Sequence, residues 1–211
     1  MAQLIRPLLA SALLLTLAAC GGESETAGRE DTAVGIASLE KPDPEAVKAK
    51  ELAAVVSADK APFDAALAAN DETQLDMLAD IGNAYALHHR ALARINSHDY
   101  MLQQGGYDDM QAASDKGFAA AQLWIGQRMA YGQDNFKLQP NSGLKLMEKA
   151  AAQGNVDAIM AVAAMYVQDA YMHDTKKARD WYKRGAELGS AEAKAALNQM
   201  DQADAGQTEA P

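Results

Sequence analysis

Two stretches of this chain follow one pattern, and that repetition restricts the fold more than any other feature of the sequence. Ala121 to Gly154 runs AQLWIGQRMAYG, a polar loop, then SGLKLMEKAAAQG; Ala158 to Gly189 runs AIMAVAAMYVQ, a shorter loop, then KARDWYKRGAELG. Ala121 and Ala158 lie 37 residues apart, and Gly154 and Gly189 lie 35 apart. A unit of that length holds two helices that cannot bury their apolar faces alone, so copies stack into a solenoid and work by offering a surface. Apolar residues recur at intervals of three and four, alternation at two is absent, and β-branched residues are scarce. The expected fold is all-α: a short α-solenoid of antiparallel helix pairs.

The repeated positions have a physical reading. On a helical wheel Ala121, Ile125, Gly126 and Met129 share one face, and Ala158, Val162, Ala163 and Tyr166 fill the same places in the next copy. A small residue beside a large one lets two helices approach and fills the space next to the contact. Gly117, Gly154 and Gly189 end the second helices as residues free to adopt positive φ, and Asn155 and Ser190 follow as N-caps.

These residues resemble the Sel1-like repeat, a relative of the tetratricopeptide repeat. That family's first helix carries an alanine, a leucine four on, a glycine five on and a tyrosine eight on, which the two quartets above answer. Its second helix enters on aspartate, lysine and alanine, carries an aromatic pair and closes on small residues and glycine. Asp174, Lys177, Ala178, Trp181, Tyr182, Ala186 and Gly189 match it, while Leu146 and Met147 stand for the aromatics in the preceding copy. The resemblance covers residues 118–200, where Ala193 and Leu197 belong to a terminal capping helix. Across 43–117, read as N-terminal helices, it is weaker. Ile81, Gly82 and Tyr85 take the leucine, glycine and tyrosine places of a degenerate first copy, and the stretch from Tyr85 to Gly105 reads as longer than its later counterparts.

The resemblance implies a protein-binding groove lined by the first helices. Here that face carries Leu123, Trp124, Gln127 and Tyr131, then Met160, Ala161, Ala164 and Gln168, with Asp80, Asn83 and Leu87 in the degenerate copy. A Trp beside Leu and Met suits a partner's hot spot. Either the face is open, or the N-terminal helices or the segment 88–104 fold over it.

Met1 to Ala19 holds one basic residue, Arg6, no acidic residue, and the apolar run Leu8 to Ala19. The run is shorter than the roughly 20 residues that span a bilayer as a helix, and it reads as a secretion signal. Leu17, Ala18, Ala19 and Cys20 resemble the lipobox of bacterial lipoproteins. That resemblance implies a signal peptide over 1–19, cleavage before Cys20, and acyl chains on its sulfur. Gly21, where a retaining aspartate would stand, points to the outer membrane, facing the periplasm. Cys20 is the only cysteine, so no intrachain disulfide braces the fold. Residues 20–42 read as a lipidated flexible tether spanning on the order of 25 Å, and residues 201–211 as a disordered tail.

Without residues 1–19 the chain has 18 basic and 29 acidic side chains, a net charge of −11. No cluster of Lys and Arg interleaved with aromatics occurs, which argues against nucleic acid. Anionic lipid does not attract such a body either, so membrane attachment falls to the acyl chains.

Toward the middle of the chain, Asp43 and Pro44 open a helix to about Ser57. Asp59 caps a second helix through Pro62 to Asn70, and a longer one runs from about Thr73 to Ile95. His88, His89, His98 and His173 form no metal pair at i, i+4, and no GxSxG, phosphate loop or dinucleotide fingerprint occurs. No cofactor, metal or catalytic residue is expected. The expected function is a lipid-anchored cell-envelope interaction module, an adaptor, assembly factor or immunity-type inhibitor, whose partner is another envelope protein or peptide. The alternative is a cell-wall-directed enzyme or small-ligand-binding lipoprotein with its site in residues 88–107.

Overall fold

The structure, a computed structural model, describes residues 44–169 and 172–208. The signal segment, Cys20, the tether and Asp43 lie outside the described residues. Among those described, the chain forms α1 (Pro44–Ala68), α2 (Glu72–Asp80), α3 (Ala84–Ile95), α4 (Tyr100–Asp115), α5 (Ala119–Tyr131), α6 (Pro140–Ala152), α7 (Val156–Gln168), α8 (Thr175–Glu187) and α9 (Ala191–Thr208). No strand occurs among them. Helices adjacent in sequence pack on one another, and α3 with α4, α5 with α6 and α7 with α8 make the closest pairs. The all-α solenoid of helix pairs is therefore the observed architecture.

The turns explain its regularity. Gly82, Gly117, Gly154 and Gly189 all take left-handed φ values, from +84° to +92°. Each closes a helix in the same way, with the glycine N–H and the next N–H reaching back to carbonyls of the last turn, as when Gly82 bonds Ala79 O at 2.9 Å and Asn83 bonds Leu78 O at 2.8 Å. Asn70, expected as a left-handed stop, has φ +51° and ends α1 by the same pattern. Polar caps then start the next helices: Asn83 accepts from Ala86 N, Asn155 from Ala158 N, Asp174 from Lys177 N and Ser190 from Ala193 N.

Four expectations change. α1 is one helix through Pro62, because Asp59, read as the cap of a second helix, places its carboxylate on the N–H of Ala84 instead. Pro62 removes one backbone bond from α1 without ending it. The long helix over 73–95 is two, α2 and α3, broken where Gly82 turns left-handed. No insertion lies between Tyr85 and Gly105: those residues are α3, a short turn and the start of α4. Finally α9 continues through Thr208 rather than ending near Met200, and Arg179 of α8 holds its extension by ion pairs to Asp201 and Asp204.

The core follows the repeat. Ala86, Ala121 and Ala158 are buried at one place of the first helices, and Met110, Met147 and Tyr182 at one place of the second. Two apolar clusters result, one centred on α2 to α5 and one on α6 to α9.

Candidate interaction face on the first helices

The left-handed glycines serve as a ruler. Steps of 35, 37 and 35 residues separate Gly82, Gly117, Gly154 and Gly189. First-helix positions therefore run in the series 88, 123, 160 and 89, 124, 161, followed by 92, 127, 164 and 96, 131, 168. The face carried by Leu123, Trp124, Gln127 and Tyr131 continues in the first copy as His88, His89, Leu92 and Asn96, not as Asp80, Asn83 and Leu87. The degenerate copy is thus misregistered in the sequence reading. Ala86, Arg90, Ala91 and Arg94 hold the places of Ala121, Ile125, Gly126 and Met129.

Each earlier candidate has a definite position. Asp80 ends α2, is exposed, and accepts from Arg90 Nη1 at 2.6 Å. Asn83 is buried: its Oδ1 caps α3 and its Nδ2 donates to the Asp59 carbonyl at 2.7 Å. Leu87 is buried in the core. Neither of these two side chains is available on a surface.

The remaining residues of the face behave differently. His88, Leu92, Leu123, Gln127, Met160 and Ala164 are all half-buried, while Asn96, Tyr131 and Gln168 are exposed. Trp124 is tied down. The Arg128 guanidinium lies 3.4 Å from its ring centroid, and Tyr107 of α4 and Phe136 of the α5–α6 loop pack around it at 6.0 Å. Arg128 is in turn fixed by Asp134 at 2.7 Å. Trp124 thus joins α5 to α4 and a loop, and its ring is spent on packing more than on presentation.

At the first copy the face is covered. Phe63 of α1 stacks on Tyr85 at 5.6 Å and meets His89 at 5.9 Å, while Phe118 lies 4.7 Å from Tyr85 and 5.1 Å from His88. Burial, and then repulsion from His89, hold the His88 pKa below the usual imidazole value. The segment 88–104 does not fold over the face; α1 does, over α3. This aromatic cluster escaped sequence reasoning because its members come from two helices, α1 and α3, and from the α4–α5 turn. Only the Gly82–Asn83 match to Gly117–Phe118 and Gly154–Asn155 would have revealed the register.

An open depression of about 330 Å³ lies between α1, α3, α5 and the α6–α7 turn, walled by Val56, Tyr85, Phe118, Ala120, Gln153 and Asn155. Among the described residues of its wall, Tyr85 is the one ionisable group. Among the described residues no three His, Cys, Asp or Glu side chains come together to hold a metal ion. Residues 88–107, the alternative site, are a regular helix pair. On α7, Tyr166 donates to Glu148 at 2.9 Å, and its pKa is pushed up to about 12 by burial and then by that bond. That phenol is a structural tie.

Helix pairs stacked through left-handed glycines, with first-helix positions repeating in register, define an α-solenoid. The sequence matches no family model and no curated protein. Among solved structures the chain is similar to a Sel1 repeat protein from Oxalobacter formigenes, with a TM-score of 0.55 and 22% identity over 61% of this chain and 98% of that one. It is also similar to a protective antigen of uropathogenic Escherichia coli strains that displays an SLR fold, with a TM-score of 0.52 and 24% identity. That match covers 61% of this chain and 28% of the other. These likenesses establish the fold.

Proposed function

We propose that this protein is a lipid-anchored interaction module of the bacterial cell envelope, an adaptor, assembly factor or inhibitor that binds another envelope protein or peptide through its first-helix face. The observation that carries the reading is the half-buried stripe repeated on α5 and α7, apolar or neutral at Leu123, Gln127, Met160 and Ala164. Such a stripe gains from being covered, and a helix or extended segment laid along it removes apolar surface at about 25 cal/mol per Å². The working residues are Leu123, Gln127, Tyr131, Met160, Ala164 and Gln168, with Trp124 holding the stripe in place. Its solenoid fold supports the same reading, since stacked helix pairs build extended surfaces.

Cys20 would carry the acyl chains, and the outer membrane facing the periplasm is the proposed location. No helix among the described residues is long and apolar enough to cross a membrane.

Cross-linking in intact cells followed by affinity capture tests the face. One stoichiometric partner is expected, and Tyr131→Asp with Met160→Lys should weaken its capture at least ~10-fold, the scale of a lost hot spot. Circular dichroism of the variant should remain that of the wild type. Capture that survives both substitutions places binding elsewhere. Separately, Cys20→Ser, or inhibition of lipoprotein signal cleavage, should shift the protein from the membrane fraction; an unchanged distribution removes the anchor.

A further inference from the structure

α1 stands apart from the helix pairs. It runs for 25 residues, yet among its described side chains the buried apolar ones are Val56 and Ala66, and Val55 and Leu67 are exposed. A few anchors hold it. Asp59 Oδ2 accepts from Ala84 N at 2.7 Å, and the Asp59 carbonyl accepts from Asn83 Nδ2 at 2.7 Å. Four residues on, Phe63 stacks on Tyr85 and meets His89 edge-on. Residues at i and i+4 share a helix face, so carboxylate and ring reach α3 together.

The seat beneath them has two parts. The first is the amino-terminal N–H of α3, where a carboxylate is favoured by the free donor and by the helix dipole. The second is an aromatic slot of Tyr85 and His89, backed by Phe118. Both parts belong to the repeat, while the groups that fill them belong to α1.

We propose that this seat is an exchangeable docking site for a helix that carries an acidic residue followed four positions later by an aromatic one, and that α1 is its intramolecular occupant. The inference rests on the interaction-module reading and adds the partner's chemistry. A segment bound in cis acts at an effective concentration on the order of millimolar, so only a partner that exceeds it opens the seat. α1 then restricts the first third of the face to partners of that pattern.

The probe is a labelled peptide of residues 44–70 of this chain. It should bind full-length Asp59→Lys/Phe63→Ala protein at least tenfold more tightly than wild type. A peptide carrying the same two substitutions should bind neither. In the unmodified protein, hydrogen exchange should show amides of residues 52–66 opening faster than those of α5 and α7. If the double variant does not fold, the exchange measurement decides alone. Peptide binding equal for variant and wild type overturns the proposal, as does exchange of residues 52–66 only on global unfolding. Loss of partner capture in Tyr131→Asp/Met160→Lys protein, on α5 and α7, would still stand in either case, so the two readings fail separately.

Discussion

Where the second and third helix pairs place Ile125 and Val162, Met129 and Tyr166, and Leu146 and Trp181, the first pair places Arg90, Arg94 and Asp109. These positions share one register along the glycine ruler, so three apolar places are replaced together by two cations and an anion. Arg90 reaches Asp109 through Nε at 2.8 Å and Nη2 at 2.9 Å, and Arg94 reaches it through Nη1 at 2.9 Å. Asp109 and Arg90 keep only 11% and 13% of their side-chain surface exposed, so that pair is largely shielded from water, while Arg94 at the edge keeps 33%. The Arg90 pKa rises above its ordinary value, chiefly through the hydrogen bonds it donates to Asp109. The comparison teaches that one backbone plan accepts either an apolar seam or a salt-bridged one, provided that all members change together. It also shows where the polar version is vulnerable.

Removing Asp109 alone should break the comparison most severely. Asp109→Leu supplies the residue type found at Leu146 but strands two arginines against apolar neighbours, with Asp80 left to Arg90. Breaking a buried pair from one side costs about 3–5 kcal/mol. Urea denaturation should show that loss with an unchanged slope; a loss under about 1 kcal/mol, the median worth of a surface pair, would mean that the seam is effectively solvated.

The same seam explains what was legible beforehand. Helix pairs two and three were readable because small and large apolar residues recur at fixed offsets. Their left-handed glycines, their caps at Asn155 and Ser190, and the capping helix around Ala193 all lie where the pattern put them. Pair one kept its glycine, its Asn83 cap and its small residues Ala86 and Ala91, but lost the apolar signal to Arg90, Arg94 and Asp109. Matching by hydrophobicity therefore slid to Ile81, Gly82 and Tyr85 and created an insertion that does not exist. The candidate face suffered in proportion. Residues on α5 and α7 lie on a shared half-buried stripe, whereas Asn83 and Leu87 are internal, and nothing local in the sequence announces that α1 crosses α3.

Converting the whole seam should sharpen the comparison in the opposite direction. Arg90→Ile, Arg94→Met and Asp109→Leu together install the residues of the second pair. Replacing a buried ionic cluster by packed apolar side chains is commonly neutral or stabilising by about 1–4 kcal/mol. A triple variant at least as stable as wild type, beside a damaged Asp109→Leu, would establish that the three residues form one unit. Additive losses across the three single variants would show that they do not.

The closest helix crossings offer a smaller contrast. In pair two a Cβ on Gly143 would lie 2.6 Å from Ala130 N and 2.9 Å from Ala130 Cα, both backbone atoms. In pair one a Cβ on Gly106 would meet Ile95 N and Ile95 Cγ1 at 2.8 Å, and pair three carries Ala178 at that place. Gly143→Ala should therefore destabilise by about 1–3 kcal/mol, the usual range for overpacking. Gly106→Ala should cost less, because part of its obstruction is a side chain that can turn. Equal midpoints for the two variants would remove the distinction between these crossings.

The smallest expected effect concerns pH and again sets one copy against the others, since His88 stands where the later copies have Leu123 and Met160. Its pKa is lowered from the ordinary 6.5 by burial and then by His89, so the unfolded chain takes up this proton before the folded one does. Stability from His88 is therefore fully present above pH 6.5 and is lost as pH falls through that value, levelling off below the folded-state pKa. The group sits against Phe118 at 5.1 Å, beside His89, which itself meets Phe63 of α1. Protonation thus works against the same aromatic cluster that seats α1. His88→Leu, the residue of the second copy, should flatten the fall in denaturation midpoint between pH 7.5 and 5.5, and should abolish the loss of α1 amide protection, corrected for intrinsic exchange rates, that protonation of His88 is expected to cause. An unchanged slope in that variant would assign the dependence to groups outside this cluster and leave the first copy no more pH-sensitive than its neighbours.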